Sequence, residues 1–237
     1  MTRGWKLLGR SVAVAAALLP AYAAFAYVVV PAAWSRYERR SPRRSSFGIT
    51  CTAERIPGDP LNVALVGTRA QVIAAMRAAG WVEADSISLR SGLRDAGSIL
   101  LNRPYPSAPV STHLLWNRPQ DLAFEQTVGS SPRRRHHVRF WRSTVSEEPG
   151  ASLWVGAATY DQGVGFSRYT GEIIHHIGAR VDTEREKLFD DLTRCGRIER
   201  IERIIRFRPE GRGVNGGGDV YETDGALLLG RLIRRAA

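Results

Sequence analysis

The chain has 237 residues, 43% of them apolar, and a formal net charge of +11. That length and apolar content suffice for one well-packed domain plus an accessory segment. Residues 1–44 hold eight basic side chains and one acidic side chain, so only +4 remains for the rest of the chain. Because the positive charge is concentrated beside an apolar N-terminal segment, the composition argues against a nucleic-acid-binding surface.

An uncharged stretch comes after a short basic tail at residues 1–10. Residues 11–34 are 24 consecutive positions without a charge. About 20 helical residues cross a hydrocarbon core of about 30 Å. Basic residues flank both ends of the stretch, and Trp5 and Trp34 suit the lipid–water interface. We therefore predict a transmembrane helix over residues 11–34, which makes membrane lipids its partners.

A cleaved signal peptide is the alternative, because small residues at Ala21, Ala23, Ala24 and Ala26 offer cleavage sites. The apolar run continues through residues 27–30 and then stops at a cluster of arginines, which favours a retained anchor. The basic residues on the two sides of the anchor are nearly balanced. A short N-terminal signal-anchor usually exports the domain on its C-terminal side, so we expect a single-pass inner-membrane protein with a periplasmic domain.

The segment after the anchor changes character twice. Residues 35–47 are polar, basic and interrupted by proline, which is typical of a juxtamembrane linker. We place one folded domain at residues 48–237. Its first predicted elements are an aliphatic strand over residues 61–66 and a helix that Thr68 caps and Gly80 ends.

The middle of the chain predicts an antiparallel sheet. Three prolines exclude a long regular element from residues 98–112, which we interpret as a structured loop. Short β-like runs separated by Pro, Gly and Ser turns come next, at residues 113–116, 122–128, 136–142, 153–160 and 172–177. Four tryptophans in or beside these elements are expected in the core, namely Trp81, Trp116, Trp141 and Trp154.

The C-terminal part adds a helix and further strands. A charged helix with one apolar face is predicted over residues 182–193. The isoleucines of residues 197–207 fit a helix about as well as a strand. A glycine loop at residues 215–218 predicts a hairpin, and a strand is predicted after it over residues 227–233. The fold class is therefore α+β, a mostly antiparallel sheet with two or three helices after the N-terminal transmembrane helix.

Cysteine and glycine usage bears on disulfides and cofactors. Cys51 and Cys195 are the only cysteines, and they suit either one disulfide in an oxidising compartment or two buried free thiols. Residues 211–218 are rich in glycine but lack the Lys-Ser/Thr and the strand–helix context of a phosphate loop. We therefore expect no nucleotide cofactor.

Four of the five histidines form two adjacent pairs, His136-His137 and His175-His176. Neighbours on a strand point to opposite faces, so each pair offers one imidazole to a shared site. Asp161 lies in phase with the alternating run that precedes it and supplies a carboxylate. These spacings make His137, His176 and Asp161 the candidate catalytic residues.

Two interpretations of the histidines do without catalysis by the imidazole itself. Imidazole and carboxylate ligands at His137, His175, His176 and Asp161 would suit a divalent metal, although no spacing matches a known metal motif. The alternative is structural, with one histidine of each pair packed under the sheet and the other solvated.

Arginines beside the first pair suggest an anion site. Guanidinium forks at Arg135, Arg139 and Arg118 suit phosphate or carboxylate oxygens. A histidine next to them would serve as nucleophile or general acid in phosphoryl transfer. For Arg118 the competing interpretation is a turn that a side-chain hydrogen bond holds before Leu122.

Seven sequence blocks occur together in a fixed order: GDPLNVALVGT, AAGWVEAD, RPYPSAPVSTHLLWNRPQDLAFEQ, RRRHHVRFW, LWVGAATYD, HHIGARVDTERE and GGGDVYETDG. Over roughly residues 55–230 this set resembles the LssY C-terminal domain family. The resemblance implies a domain that occurs alone behind a membrane segment or attached to membrane-embedded modules, including lipid-phosphatase-like ones. It also implies that both histidine pairs belong to the family pattern, and it favours a lipid or phosphate-bearing envelope ligand.

Two functional hypotheses use the same residues. The first is a membrane-anchored envelope protein that binds a phosphate-bearing or otherwise anionic lipid or envelope ligand without catalysis. The second is a phosphoesterase-like hydrolase, dependent on His and Arg or on a metal, that acts on a phosphorylated lipid or envelope precursor. Catalysis requires His137, a histidine of the second pair and a carboxylate to converge in a cleft. A binding module would instead show its arginines on an open face and its histidines dispersed.

Overall fold

The computed structural model describes residues 3–30, 32–33, 36, 48–85, 88, 90–91, 94, 97–98, 101, 103, 105–144, 150–169 and 171–233. Helix α1 spans Arg3–Ala24 and continues as a π-helical turn over Phe25–Val29. Within the described residues, no helix combines the length and hydropathy needed to cross a membrane. The transmembrane helix over residues 11–34 therefore stays a prediction. Its Trp34 end and all of the linker at residues 35–47 except Arg36 lie outside the described residues.

The rest of the described chain contains two further helices of at least ten residues and a series of strands. Helix α2 spans Arg69–Ala78 and helix α3 spans Val181–Arg194. The strands in chain order are β1 (Ile49–Cys51), β2 (Pro57–Pro60), β3 (Val63–Gly67), β4 (Val82–Glu83), β5 (Leu114–Leu115), β6 (Arg118–Pro119), β7 (Leu122–Thr127), β8 (Arg135–Arg142), β9 (Ser152–Phe166), β10 (Ile173–Ile177), β11 (Ile198–Ile204), β12 (Gly211–Val214), β13 (Val220–Thr223) and β14 (Leu227–Leu232).

Eight strands form the main sheet, in the order β11-β14-β3-β9-β8-β7-β4, with β10 paired to the second half of β9. Strand β14 pairs with β3 in parallel, and the other pairings in this sheet are antiparallel. A smaller sheet has the order β2-β1-β5-β6, and β12 pairs with β13 alone. The predicted α+β class with a mostly antiparallel sheet is confirmed.

Local signals place the first strand–helix unit as predicted. The Thr68 hydroxyl accepts a hydrogen bond from the Gln71 backbone N–H, and the Gln71 side chain accepts one from the Thr68 N–H. This capping box satisfies two N–H groups that a helix start leaves without partners. The helix ends before Gly80, whose φ of +82° suits a residue without a Cβ.

The two faces of the main sheet have different partners. Helices α2 and α3 cover one face, where Val72, Met76 and Leu188 pack against sheet residues in the largest core cluster. A second cluster on the other face joins Ala64, Val66, Trp141, Val155 and Leu229. The second face also carries the smaller sheet, through contacts of β2 with β9. Both faces of the main sheet are thus covered by other parts of the fold.

The expectation for one tryptophan is wrong. Trp81, Trp141 and Trp154 are buried as predicted, but 54% of Trp116 is exposed. Trp116 and Asn117 form the two-residue turn between β5 and β6, with φ angles of +52° and +61°. Tight hairpin turns with positive φ at both positions match the twist of their strands. The turn holds the indole at the surface.

The structure also shows the form of the isoleucine stretch, of the glycine loop and of the two cysteines. The ambiguous isoleucine stretch forms β11, an edge strand that pairs with β14. The glycine loop joins β12 to β13, which confirms the predicted hairpin. Cys51 and Cys195 are free thiols.

Candidate functional site

A cavity of about 940 Å³ opens on the second face of the main sheet. It is lined by β2, the loop at residues 109–113, strands β8, β9 and β10, and the glycine loop after β12. Apolar side chains supply much of the wall: Ile56, Val110, Val164, Phe166, Ile173 and Ile174. The deepest part of the lining is ionisable, since Arg139, His137 and Asp161 are each no more than 3% exposed. Apolar walls over a few convergent polar groups are typical of a small-molecule site.

Strand alternation explains why these polar groups converge. Arg135, His137 and Arg139 are alternate residues of β8 and share one face of the sheet. Arg135 lies directly across from Asp161 on β9. Val138 and Phe140 point the other way, into the core under the helices. His137 and Asp161 therefore lie on the same face of the sheet.

One end of the cluster is built around Asp59. The Arg139 Nη1 group donates to its Oδ2 atom over 2.6 Å, and the His113 Nδ1 atom lies 3.5 Å from the same oxygen. Arg139 also donates to the backbone and hydroxyl oxygens of Ser111. Burial alone would raise the pKa of Asp59, but the nearby His113, Arg139 and His137 lower it well below the usual range. Asp59 is therefore an anion at any physiological pH.

A glycine makes this end possible. A Cβ atom at Gly58 would lie 2.5 Å from the Thr50 hydroxyl and 2.8 Å from His113 Nδ1. The Thr50 hydroxyl donates to the Asp59 backbone oxygen, so it accepts from His113 Nδ1, which is 3.1 Å away. The proton of neutral His113 is therefore on Nδ1, and Nε2 is left as a hydrogen-bond acceptor.

The centre of the cluster is the His137–Asp161 pair. His137 Nδ1 lies 3.1 Å from Asp161 Oδ1, while Nε2 lies 2.6 Å from the Thr159 hydroxyl and 2.7 Å from Arg139 Nη1. Burial and Arg139 oppose protonation of His137, but Asp161 and Asp59 outweigh them and raise its pKa. Burial would raise the pKa of Asp161, but His137, His175 and Arg135 lower it strongly. A proton of this pair is thus held on the histidine.

The other end of the cluster is organised by Arg135. Its guanidinium donates to Asp161 over 3.0 Å and to Glu125 over 3.2 Å, and its Nη2 atom lies 3.3 Å from His175 Nδ1. Arginine only donates, so His175 Nδ1 accepts and the imidazole proton lies on Nε2. Burial, which outweighs the attraction of Asp161, lowers the pKa of His175 to about 4. Within the described residues, the buried Nε2 atom of this neutral histidine has no hydrogen-bond partner.

The fixed charges of the cluster nearly cancel. Its ionised groups are two guanidiniums and three carboxylates, those of Arg135, Arg139, Asp59, Glu125 and Asp161. They sum to 2 − 3 = −1. His113 and His175 add no charge at neutral pH, because burial lowers their pKa values to about 3 and about 4.

The contacts of His137 resemble a catalytic triad, but they cannot act as one. The order Thr159 hydroxyl, His137, Asp161 matches nucleophile, base and orienting acid. However, Thr159 is fully buried and is not among the residues that line the cavity. A substrate in the cavity cannot reach its hydroxyl, which therefore serves only to fix the His137 ring.

The metal interpretation receives no support from the described part of the chain. No group of three or more His, Cys, Asp or Glu side chains there is arranged to hold a metal ion. The candidates His137, His175 and Asp161 do approach one another. The guanidinium of Arg135 already contacts Asp161 and His175, so a metal ion bound there would be repelled by that positive charge.

Two predicted site residues lie elsewhere. His176 Nδ1 donates to the carboxylate of Asp219 over 2.6 Å at the glycine loop, and His176 does not line the cavity. Arg118 binds Asp121 over 3.0 Å in the turn before β7, as the competing interpretation had it. Neither joins the cluster. His136 faces the helices and contacts Glu184 over 2.6 Å.

The sequence did not indicate Asp59, His113 and Ser111 as site residues. They lie outside the strands that carry the histidine pairs. The only local signal was the tight Pro57–Pro60 segment, where a glycine precedes an aspartate between two prolines. Such a segment indicates a close backbone approach but does not indicate what is approached.

These features define a class of protein, an α+β domain with an open cavity whose floor is a compensated cluster of ionisable groups. The chain belongs to the LssY C-terminus family, whose sequence profile matches residues 38–227. This confirms the resemblance seen in the sequence. No curated protein and no solved structure matches the chain.

Proposed function

We propose that the protein binds a lipid-like amphiphile in the cavity, with the apolar part against the walls and the polar end at the ionisable cluster. The observation that carries this proposal is an apolar wall above a floor of buried ionisable groups, among them His137, Arg139 and Asp161. An alkyl chain suits the wall, and a polar group suits the floor.

The charge of the cluster favours one type of polar end. Arg135 and Arg139 already donate to carboxylates, so they are not available as an open clamp for a dianion. A carboxyl group or a phosphodiester, with at most one negative charge, therefore fits better than a phosphate monoester. This preference narrows the range of anionic or phosphate-bearing ligands that we expected from the sequence.

A photoreactive fatty acid tests the proposal. The full-length protein in lipid nanodiscs is irradiated with a fatty acid that carries a diazirine at its methyl end, and labelled peptides are mapped by mass spectrometry. We expect labels on β9 and β10. Val164→Trp, which narrows the cavity, should weaken labelling, whereas Ile201→Trp, an exposed change on β11, should leave it unchanged. Equal labelling of both variants would refute the proposal.

The polar-end preference is measured in the same system by competition. An alkyl carboxylate and an alkyl phosphodiester should displace the photoreactive probe, and an alkyl phosphate monoester should displace it more weakly. The strongest competition by the monoester would show that the cluster carries more free positive charge than its contacts indicate.

Hydrolysis of an ester bond in such a ligand is the second candidate. His137, His175 and Asp161 converge at the cavity, as catalysis requires. However, pKa values of about 3 for His113 and about 4 for His175 lie far below neutral pH, where a general base works best. His137 has a raised pKa, but both of its nitrogens already face protein partners. Binding is therefore the function that the geometry supports better.

Attachment to the inner membrane through residues 11–34, with the domain on the periplasmic side, completes the proposal. Its support is the uncharged stretch between basic flanks. Reporters joined after residue 48 test the orientation. A reporter that works only in the periplasm should be active, and activity of a reporter that works only in the cytoplasm would show the opposite orientation.

A further inference from the structure

Strand β11 forms one edge of the main sheet. It pairs with β14 on one side, and no strand of the described chain pairs with its other side. Its isoleucines Ile201 and Ile204 are 42% and 41% exposed. An open edge offers backbone N–H and C=O groups to a further strand, and proteins often block such an edge with charged side chains. The order of the charges along β11 therefore decides what the edge accepts.

The neighbouring strand shows which backbone groups of β11 point to the open edge. The Leu228 N–H donates to the Asn62 carbonyl oxygen, on the side of β3. Backbone groups alternate in direction along a strand, so those of Leu229 point to β11, where Glu202 lies opposite. The backbone of Glu202 faces β14 in return. Ile201, the residue before Glu202, therefore presents its N–H and C=O groups to the open edge.

The sequence of β11 is complementary to itself in one arrangement. It reads IERIERI over Ile198–Ile204. When a second β11 lies antiparallel with the two Ile201 residues opposite each other, every isoleucine faces an isoleucine and every glutamate faces an arginine. A shift by two residues sets either Arg200 or Glu202 against its own copy, and a parallel arrangement in register sets every charge against itself. Of these arrangements, only the antiparallel one centred on Ile201 avoids like charges.

The Arg200–Glu202 pairs contribute most to this preference. Within one copy, Arg200 Nε lies 3.2 Å from Glu202 Oε1, and the two side chains are 69% and 37% exposed. In the paired strands each side chain also faces its opposite charge on the second copy, so four alternating charges meet on one face. Opposite charges at facing positions stabilise a strand pair, and like charges destabilise it. The pair of Glu199 with Arg203 adds less, because Arg203 already contacts Glu186 within its own copy.

We infer that the protein forms a homodimer in which the two β11 strands pair antiparallel about a two-fold axis at Ile201. The same surface then serves both copies, as a two-fold interface requires. The main sheet continues from one copy into the other. Strand β11 is not among the residues that line the cavity, so the inference is independent of the proposed function.

Cysteine cross-linking of the full chain tests the register. Cys51→Ser and Cys195→Ser remove the native thiols, and Ile201→Cys or Ile204→Cys then supplies one thiol per chain. The Cα atoms of the two Ile201 residues would lie about 5.5 Å apart, a distance that a disulfide spans. Those of the two Ile204 residues would lie about 20 Å apart, since six residues separate them along the strands. Ile204 is the matched control, because it is the same residue type on the same strand with nearly equal exposure.

The purified variants are oxidised in detergent with copper phenanthroline, and circular dichroism verifies that each is folded. We expect Ile201→Cys to form a covalent dimer and Ile204→Cys to stay a monomer. Equal yields from the two variants, a higher yield from Ile204→Cys or no dimer from Ile201→Cys would overturn the inference.

Charge reversal tests the complementarity. Arg200→Glu and Glu202→Arg, each combined with Ile201→Cys, set like charges against each other, so each variant alone should lose the covalent dimer. In a mixture the two variants carry opposite charges at the facing positions, and cross-linking between them should return. A size tag on one variant identifies the mixed dimer on a gel. Its recovery would show that both variants are folded, whereas full cross-linking of either variant alone, or no mixed dimer, would contradict the pairing.

Discussion

Removal of one buried charge gives the sharpest test of the cluster. Asp161 lies 3.0 Å from Arg135 Nε and 3.1 Å from His137 Nδ1, and the three side chains are at most 5% exposed. Asp161→Asn keeps the shape of the side chain, so it creates no cavity and changes only charge and hydrogen bonding. Removal of one partner of a buried ion pair costs about 3–5 kcal/mol, because the other charge stays buried without compensation.

The same carboxylate-to-amide change at the surface serves as control. Glu222 pairs with Arg212 over 3.0 Å, but its side chain is 53% exposed, and such pairs contribute about 0–1 kcal/mol. Urea unfolding of the full chain in detergent, monitored by the fluorescence of buried Trp141 and Trp154, measures both losses. Since Asp161 raises the pKa of His137, that pKa should also fall in the variant. A loss in Asp161→Asn no larger than in Glu222→Gln would refute the compensated cluster.

Three further outcomes are expected. The folded pKa values of His113 and His175, about 3 and about 4, lie below the unfolded value of about 6.5, so the unfolded state binds more protons below pH 6.5. Stability should therefore fall as the pH drops from about 6.5 to about 4, and equal urea midpoints at both pH values would contradict this. Gly58→Ala should lower the urea midpoint and weaken fatty-acid labelling, because a Cβ atom would push against His113 and Thr50. Unchanged labelling would show that the position of His113 does not matter for ligand binding. In an esterase screen, His113→Ala should remove any activity found and His176→Ala should keep it, whereas the reverse result would move the site to the glycine loop.

The part of the site that the sequence predicted depends on local geometry alone. A strand has a period of two, so Asp161 and His137 share a face once β8 and β9 pair with His137 opposite Thr159. The α2 boundaries were equally predictable, because the Thr68–Gln71 capping box is contained within four residues. Each of these features involves one strand pair or one helix end.

The part that the sequence did not predict depends on how distant segments meet. Whether His175 or His176 reaches the cavity depends on the register of β10 against β9, which shifts between His176 and Ile177. Asp59 and His113 join the cluster from the smaller sheet and a loop, at sequence separations that no periodicity connects. The sequence led us to expect Arg135 and Arg139 as an anion site for the same reason, since Glu125 and Asp59 neutralise them only in the folded chain.

A crystal structure of the protein with dodecanoate would test amphiphile binding most directly. The alkyl chain should lie against Val164 and Ile174, and the carboxylate should lie on the side of the cavity that His113 and His175 line. Dodecanoate bound outside the cavity, or bound with its carboxylate turned away from the His113–His175 side, would contradict the proposed function.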